Sequence, residues 1–281
     1  MFRTLLLLFR ERPDLVVVQN PSMILAAMAC VCRSVLGFRL VVDRHSNFLL
    51  ARRRSDDWKS RLFLALSRFT LRRADLTLVT NGEIAGRVAE AGGRSFILPD
   101  PYPDVGVAPL PPPRPVPEAV FICSWAEDEP IEEMMAACAD LDGEAVVRVT
   151  GRPKPSHSRL LERRPGNFRP TGFLADAEYL RLLSGADAAV VLTTMPSTLL
   201  CGAYESLALG KPLLLSGSRV LREYFAAGAV YLDTHQPEEI ARKLRQLLAR
   251  RTELRRDGLA FLESSRAEWR SRLEALRRAL G

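Results

Sequence analysis

Lysine is almost missing from this 281-residue chain: of its 40 Lys and Arg residues only Lys59, Lys154, Lys211 and Lys243 are lysine, so arginine carries the net charge of +7. Arginine favours bidentate phosphate contact. A basic surface attracts nucleic acid, anionic lipid head groups or phosphorylated substrates, and charge alone does not choose between them. Aromatics are sparse at 7% and do not interleave with the basic residues. With no zinc-finger spacing or RNA-binding signature either, nucleic acid ranks low. The five cysteines, Cys30, Cys32, Cys123, Cys138 and Cys201, are an odd number lying mostly in apolar runs, with no secretory signal before them. That pattern predicts reduced thiols in a cytoplasmic protein. Cys30 and Cys32 fall on different faces of a helix and make no zinc site. Apolar runs long enough to span a membrane are lacking as well: Met23–Val42 is broken by Arg33, Gly37 and Arg39. The opening Met1–Arg10 is too short for a signal peptide and reads as a core helix.

What is present is an α/β pattern. A hydrophobic fraction of 47% with 26% charged residues fits a soluble globular chain long enough for two domains. The first third alternates: helix 2–11, strand Asp14–Gln19, helix Ser22–Leu36, strand Phe38–Asp43, a basic helix Asp56–Arg73, strand Leu76–Thr80, helix Asn81–Ala91 and strand Ser95–Leu98. Continuous β-branched runs between helical patterns indicate parallel strands covered on both faces. Between Pro99 and Pro117 proline dominates and periodicity disappears, which reads as a semi-rigid linker. A second α/β series starts at Ala119: strand Val120–Cys123, helix Pro130–Leu141, strand Ala145–Thr150, strand Phe168–Phe173, helix Asp176–Ser184, strand Ala188–Thr193, a helix from about Cys201, strand Pro212–Ser216 and strand Ala229–Leu232. A helical tail runs from Pro237 to Leu280. The expected organisation is a doubly wound lobe at 1–104, a linker at 105–118, a second lobe at 119–250 and a helical tail at 251–281. Ligands of such folds bind at the carboxyl ends of the strands, here expected in a cleft between the lobes.

The most informative stretch is Thr194–Glu205 running into Ser206–Ser216. It reads as a loop, a helix opening on Gly202 with Glu205 on its first turns, a Gly210-Lys211-Pro212 stop and a buried strand. A helix start offers N–H groups and a positive dipole end for a phosphate, and a nearby carboxylate suits a diol such as a ribose. A plain amphipathic helix with a glycine C-cap reads the same residues as structural. The segment resembles the donor-binding segment of GT-B glycosyltransferases of the glycogen-synthase and sucrose-synthase type (group 1), in which two glutamates with seven residues between them precede a Gly-x-Pro helix end. Glu205 and Gly210-Lys211-Pro212 match the second half, and Ser197 stands at the first glutamate. The resemblance implies two Rossmann-like lobes, the amino-terminal one incomplete in this sequence, which opens at roughly the middle of such a lobe: either a shortened relative or a late start. It also implies that Glu205 binds the ribose hydroxyls, that the backbone at Cys201, Gly202 and Ala203 approaches the diphosphate, and that Ser197 or Thr198 replaces the missing carboxylate near the sugar.

Other residues at strand ends extend this reading. Asp43-Arg44-His45-Ser46-Asn47 follows a strand, where His45 suits a sugar hydroxyl or a developing charge and Asp43 suits orienting that ring or acting alone as a base; a capping Asp–His pair is the structural alternative. The resemblance places the family's amino-lobe histidine about there. Thr150-Gly151-Arg152-Pro153-Lys154 offers two cations that would neutralise a leaving diphosphate without a metal, or simply a solvated basic turn. Thr171-Gly172-Phe173-Leu174 resembles the family's nucleobase turn, with the backbone of Phe173 reading the base and Gly172 letting it approach. Ser124–Pro130 reads first as a helix start with Glu129 near the positive end. His157 and His235 receive no assignment. Arg52–Arg54, Lys59, Arg61, Arg68 and Arg72-Arg73 around an apolar helix fit either a solvated face or an anionic membrane surface.

The expected activity is transfer of a sugar from a nucleotide-sugar donor to a saccharide or polyprenyl-linked acceptor in bacterial surface-polysaccharide or glycolipid assembly. It would need no metal and no cofactor beyond the donor, and would act in the cytoplasm, at the inner face of the membrane if the basic helix touches lipid. The alternatives are a non-catalytic partner that binds a sugar nucleotide, which Ser197 and the short amino lobe favour, and a sugar-nucleotide epimerase, for which the second lobe supplies few carboxylates.

Overall fold

A computed structural model describes residues 2–20, 22–45 and 58–281. Ser46, Asn47, the run Arg52–Arg54 and the helix start expected near Asp56 lie outside the described residues. The chain forms two compact units, one of residues 1–100, 197–199 and 269–281, the other of residues 101–196 and 200–268. Both are α/β with parallel sheets, as expected from the β-branched runs.

In the first unit four parallel strands, β1 (Leu15–Gln19), β2 (Arg39–Arg44), β3 (Leu76–Val79) and β4 (Ser95–Ile97), lie side by side in chain order. Helices Met23–Leu36, Trp58–Arg73 and Gly82–Glu90 make the crossovers. The helix Met23–Leu36 stops where Gly37 turns left-handed (φ 78°) and donates its N–H to the Arg33 carbonyl at 2.9 Å. Asn81 opens Gly82–Glu90 by accepting the Ile84 N–H at 3.1 Å. Val18, Leu40 and Val42 from the sheet meet Ala26, Ala29 and Cys30 in the core.

In the second unit six parallel strands, β5 (Glu118–Phe121), β6 (Val146–Thr150), β7 (Phe168–Gly172), β8 (Ala188–Val191), β9 (Leu213–Ser216) and β10 (Ala229–Leu232), take the order β10-β9-β8-β5-β6-β7. The chain builds outward from β5 to β7, then crosses back and builds outward from β8 to β10. The reversal between β5 and β8 is a topological switch point, where the following loops diverge and leave a crevice. Phe121, Val147, Val149, Val190 and Leu214 are completely buried beneath helices Ile131–Asp140 and Pro237–Ala249.

Four details differ from the sequence reading. β5 ends at Phe121, and the Cys123 N–H beyond it goes to the Thr150 side-chain oxygen of β6 instead of to a backbone carbonyl. The helical tail is two helices, Pro237–Ala249 and Arg251–Leu280, divided at Arg250. Short helices at Ser158–Glu162 and Arg219–Tyr224 carry too few apolar residues for a period to show. The proline-rich stretch forms no helix or strand, but it packs: the Ala108 N–H reaches the Leu209 carbonyl at 3.0 Å and Arg255 holds the Ala108 carbonyl at 2.5 Å.

Candidate functional site

The loops after β5 and β6 are fastened to each other. Trp125 is fully buried in a left-handed conformation (φ 62°), and its indole N–H donates to the Thr150 carbonyl at 2.9 Å. Gly151 follows with φ 80°, and a Cβ there would stand 2.4 Å from the Cys123 carbonyl oxygen, so no other residue fits without moving the loop. Glu129 accepts the N–H groups of Ser124 (2.9 Å) and Ala126 (2.7 Å), a bracing role in line with the helix-start reading. Asp128 ties this loop across the switch point: its carboxylate accepts the Thr193 hydroxyl at 2.6 Å and its carbonyl accepts the Thr194 N–H at 2.7 Å.

Next to this braced corner lies a cavity of about 420 Å³ lined by Ser124, Arg152, Phe173, Leu174, Asp176 and Tyr179 with the Cys123, Thr150 and Gly151 backbone region. Arg152 and Lys154 are exposed, and among the described residues neither is paired with a carboxylate. Arg152 lines the cavity and Lys154 does not. Gly172 (φ 72°) ends β7 beside a register shift between β6 and β7, which turns Phe173 out to 73% exposure at the cavity. At that position the ring presents a flat aromatic face to the cavity.

Glu205 is absent from the lining but linked to it, because the Tyr179 hydroxyl donates to its carboxylate at 2.5 Å. Burial, and then that carboxylate, push the Tyr179 phenol well above its ordinary pKa, so it remains a proton donor. Gly202 is buried at the start of helix Cys201–Ala208, where a Cβ would meet the Ile122 side chain at 2.9 Å. Leu200, at the N-cap position, supplies no side-chain cap. Lys211, read as part of a stop, is buried with its ammonium on the carbonyls of Ser184 (2.5 Å) and Ala186 (3.0 Å), closing the helix that carries Tyr179.

The remaining candidates belong to the first unit. The His45 ring stands between two carboxylates, Asp43 on Nε2 at 2.8 Å and Asp100 on Nδ1 at 3.2 Å. Those hydrogen bonds, Asp100 foremost, raise its pKa from 6.5 to about 10. The ring is therefore an imidazolium at neutral pH, with both N–H groups engaged. Ser197 is 4% exposed; its hydroxyl donates to Glu83 at 2.5 Å, and its carbonyl accepts from Asn81 at 3.0 Å. Thr198 is half-buried. Tyr179, Asp100 and Glu83 were not singled out from sequence, and no local motif marks them.

A second cavity, of about 290 Å³, lies at the ends of β8, β9 and β10. In it the Ser216 hydroxyl lies 2.8 Å from His235 Nε2 and accepts the Thr193 N–H at 2.9 Å. Burial lowers the His235 pKa. Four cysteines are buried, Cys201 is exposed, and none of the five is in a disulfide.

Two Rossmann-like α/β units, one with the reversing strand order and a braced cavity at its strand ends, define a fold of the GT-B class. Residues 1–96 match the glycosyl transferase 4-like domain, and residues 130–278 match the glycosyl transferase-like family. The chain belongs to the group 1 GT-B glycosyltransferases. No curated protein matches it in sequence. Among solved structures it is similar to sucrose-phosphate synthase from Thermosynechococcus elongatus, with a TM-score of 0.76 at 16% identity, over 99% of this chain and 76% of that one. It is also similar to HepE from Anabaena, solved with UDP and glucose, with a TM-score of 0.77 at 12% identity over 99% and 80% of the two chains. TarM is a third, with a TM-score of 0.68 at 11% identity over 95% and 54%.

Proposed function

We propose that the chain moves a sugar from a nucleoside-diphosphate donor to an acceptor, and that the cavity lined by Arg152, Phe173 and Tyr179 holds the nucleoside end. The observation that carries this is the Tyr179–Glu205 pair beside that cavity: a carboxylate oriented by a fixed donor is what a ribose diol needs for two hydrogen bonds. The exposed Phe173 ring provides a face for the base. HepE, of the same fold, was solved with UDP and glucose, which supports a nucleotide sugar.

In this reading Arg152 meets the diphosphate with a bidentate fork, joined by Lys154 and by the uncapped helix start at Gly202. Negative charge on the leaving diphosphate is stabilised by cations already in place, so a metal is not required for that step. His45 enters as a fixed cation, not a base, since its protons are held by Asp43 and Asp100; this favours positioning of an acceptor hydroxyl over proton abstraction. A hexose as the transferred sugar, a saccharide or polyprenyl-linked acceptor and a place in surface-polysaccharide or glycolipid assembly at the cytoplasmic membrane face complete the proposal. Lys59, Arg61 and Trp58 at the start of helix Trp58–Arg73 supply its lipid-facing candidates.

One observation favours the second reading, a nucleotide-sugar-binding partner without turnover: the hydroxyl at the first-glutamate position, Ser197, is buried and committed to Glu83. The test is a thermal-shift screen against UDP, GDP, ADP and TDP, followed by donor consumption with and without acceptor. Binding and turnover that fall together in Arg152→Ala and Glu205→Ala support the transferase, and binding without turnover supports the partner. Absence of binding to all four nucleotides at millimolar concentration refutes both.

A further inference from the structure

A carboxylate without a partner lines the cavity that holds Arg152, Phe173 and Tyr179. It belongs to Asp176, the first residue of helix Asp176–Gly185, and it is exposed. An acidic residue in a first turn commonly serves the helix itself, by capping its start or by meeting its dipole. Here the capping contact is made by Glu178, whose carboxylate accepts the Ala175 N–H at 3.2 Å. No hydrogen bond or ion pair engages Asp176 among the described residues.

Its place in the cavity follows from the chain. Asp176 and Tyr179 are three residues apart, so they stand one turn from each other on the same helix face. Phe173 precedes Asp176 by the same interval, across the turn that leaves the end of β7. With the ribose at the Tyr179–Glu205 pair and the diphosphate toward Arg152, the base comes to lie at the Phe173 ring and the Asp176 carboxylate. Asp176 is the one acidic side chain among the described residues that line this cavity.

A carboxylate accepts hydrogen bonds and donates none. Guanine alone among the nucleobases sets two donors side by side, N1–H and the 2-amino group, in the spacing of two carboxylate oxygens. Uracil and thymine hold their single N3–H between two carbonyl oxygens, and adenine and cytosine carry their amino group next to a ring-nitrogen lone pair. Each of those four bases would turn a lone pair toward the anion, and a site built around a hydrogen-bonding group rejects ligands that leave it unpaired. We infer that Asp176 selects guanine, so that the donor is a guanosine-diphosphate sugar. This rests on the placement of the nucleoside in the cavity proposed above.

Isothermal titration of the full chain with GDP, inosine diphosphate, UDP and ADP tests the assignment. The wild type should bind GDP at least about tenfold more tightly than UDP or ADP, the discrimination expected of a bidentate contact. Inosine diphosphate lacks only the 2-amino group and should bind severalfold more weakly than GDP. In Asp176→Ala the GDP and inosine diphosphate affinities should become equal. Asp176→Asn presents one acceptor and one donor, which fit the amino group and ring nitrogen of adenine, and should shift the preference toward ADP. UDP or ADP binding the wild type as tightly as GDP overturns the inference. So does an Asp176→Ala protein that keeps the wild-type ratio of GDP to inosine diphosphate while its melting temperature falls, which would leave Asp176 a helix-stabilising residue. Either result leaves a nucleotide-sugar site standing, whereas failure of all four ligands to bind at millimolar concentration overturns the donor site together with its base.

Discussion

Removing the Tyr179 hydroxyl, Tyr179→Phe, isolates the contact on which the donor-site reading rests. The hydroxyl donates to Glu205 at 2.5 Å, and a hydrogen bond to a charged group contributes ~1.5–3 kcal/mol net. Both residues are half-buried, so solvent screening points to the low end, about 1.5 kcal/mol, or roughly tenfold in an equilibrium constant. Either folding or nucleotide binding can absorb that loss. If Tyr179 acts by aiming the carboxylate at a ribose, most of it falls on binding: the dissociation constant of the nucleoside diphosphate rises about tenfold while the melting temperature falls by only a few degrees. The assay is isothermal titration with whichever nucleoside diphosphate gives the largest thermal shift, on Tyr179→Phe, Glu205→Gln and the double variant. Because the tyrosine works through the glutamate, the double variant should bind no worse than Glu205→Gln alone. Losses that add, or a Tyr179→Phe protein that binds like the wild type while Glu205→Gln is weakened, would refute the reasoning.

Three further outcomes follow from the geometry. Gly151→Ala places a Cβ 2.4 Å from the Cys123 carbonyl at φ 80°; it should cost about 2 kcal/mol or more of stability in urea titration, left-handed strain alone costing ~1–2 kcal/mol, and should weaken nucleotide binding by moving Arg152. The His45 pKa is raised to about 10 from 6.5, so its contribution is fully present below pH 6.5 and is lost as pH rises through 10; His45→Gln should melt lower at pH 6 and converge on the wild type near pH 10. Lys211 has the opposite sign, its pKa lowered to about 8 chiefly by burial: charging it costs native stability below pH 8, and that cost disappears between 8 and 10.5. Lys211→Met should nevertheless lose about 1–3 kcal/mol in denaturant at pH 7, because the Ser184 and Ala186 carbonyls lose their donor.

Legibility of this chain in its sequence divides by distance along the chain. The strands read as β-branched runs of four to six residues, and the helices between them show because burying one stripe leaves a period. Of the residues named from sequence, Arg152 and Phe173 line the cavity and follow strand ends, where the topology of any doubly wound sheet sends ligands. The residues it missed are held by pairings with no local trace: Tyr179 to Glu205 is 26 positions apart, Asp100 to His45 is 55, and Glu83 to Ser197 is 114. Composition and spacing cannot encode such pairs, since each partner alone is an ordinary surface residue type. Ser197 shows the consequence: its polar side chain at a motif position reads as ligand-facing, while its neighbours across the fold engage it from inside.

The glycines sharpen this point. Gly202 is legible as a place where a backbone comes close to something, and the sequence reading takes that something to be a diphosphate, while Gly151 reads only as part of a basic turn. In the structure the close neighbour is first the protein itself, the Cys123 carbonyl against Gly151 and the Ile122 side chain against Gly202. Both requirements are compatible. A loop that approaches another loop this closely, with Trp125 wedged beneath it and Glu129 holding its amides, has little freedom left to lose when a ligand arrives. The entropy of ordering the cradle is therefore spent at folding rather than at binding, which is how a small polar site gains affinity without more contacts. Loosening the brace should then weaken a nucleotide more than its distance from Arg152 suggests. Glu129→Gln, which removes the charge that gathers the Ser124 and Ala126 amides, should raise the nucleotide dissociation constant severalfold by titration, through a less favourable binding entropy and an unchanged stoichiometry. An affinity equal to the wild type's in a variant whose loop has demonstrably loosened by hydrogen exchange would refute preorganisation as the source of that affinity.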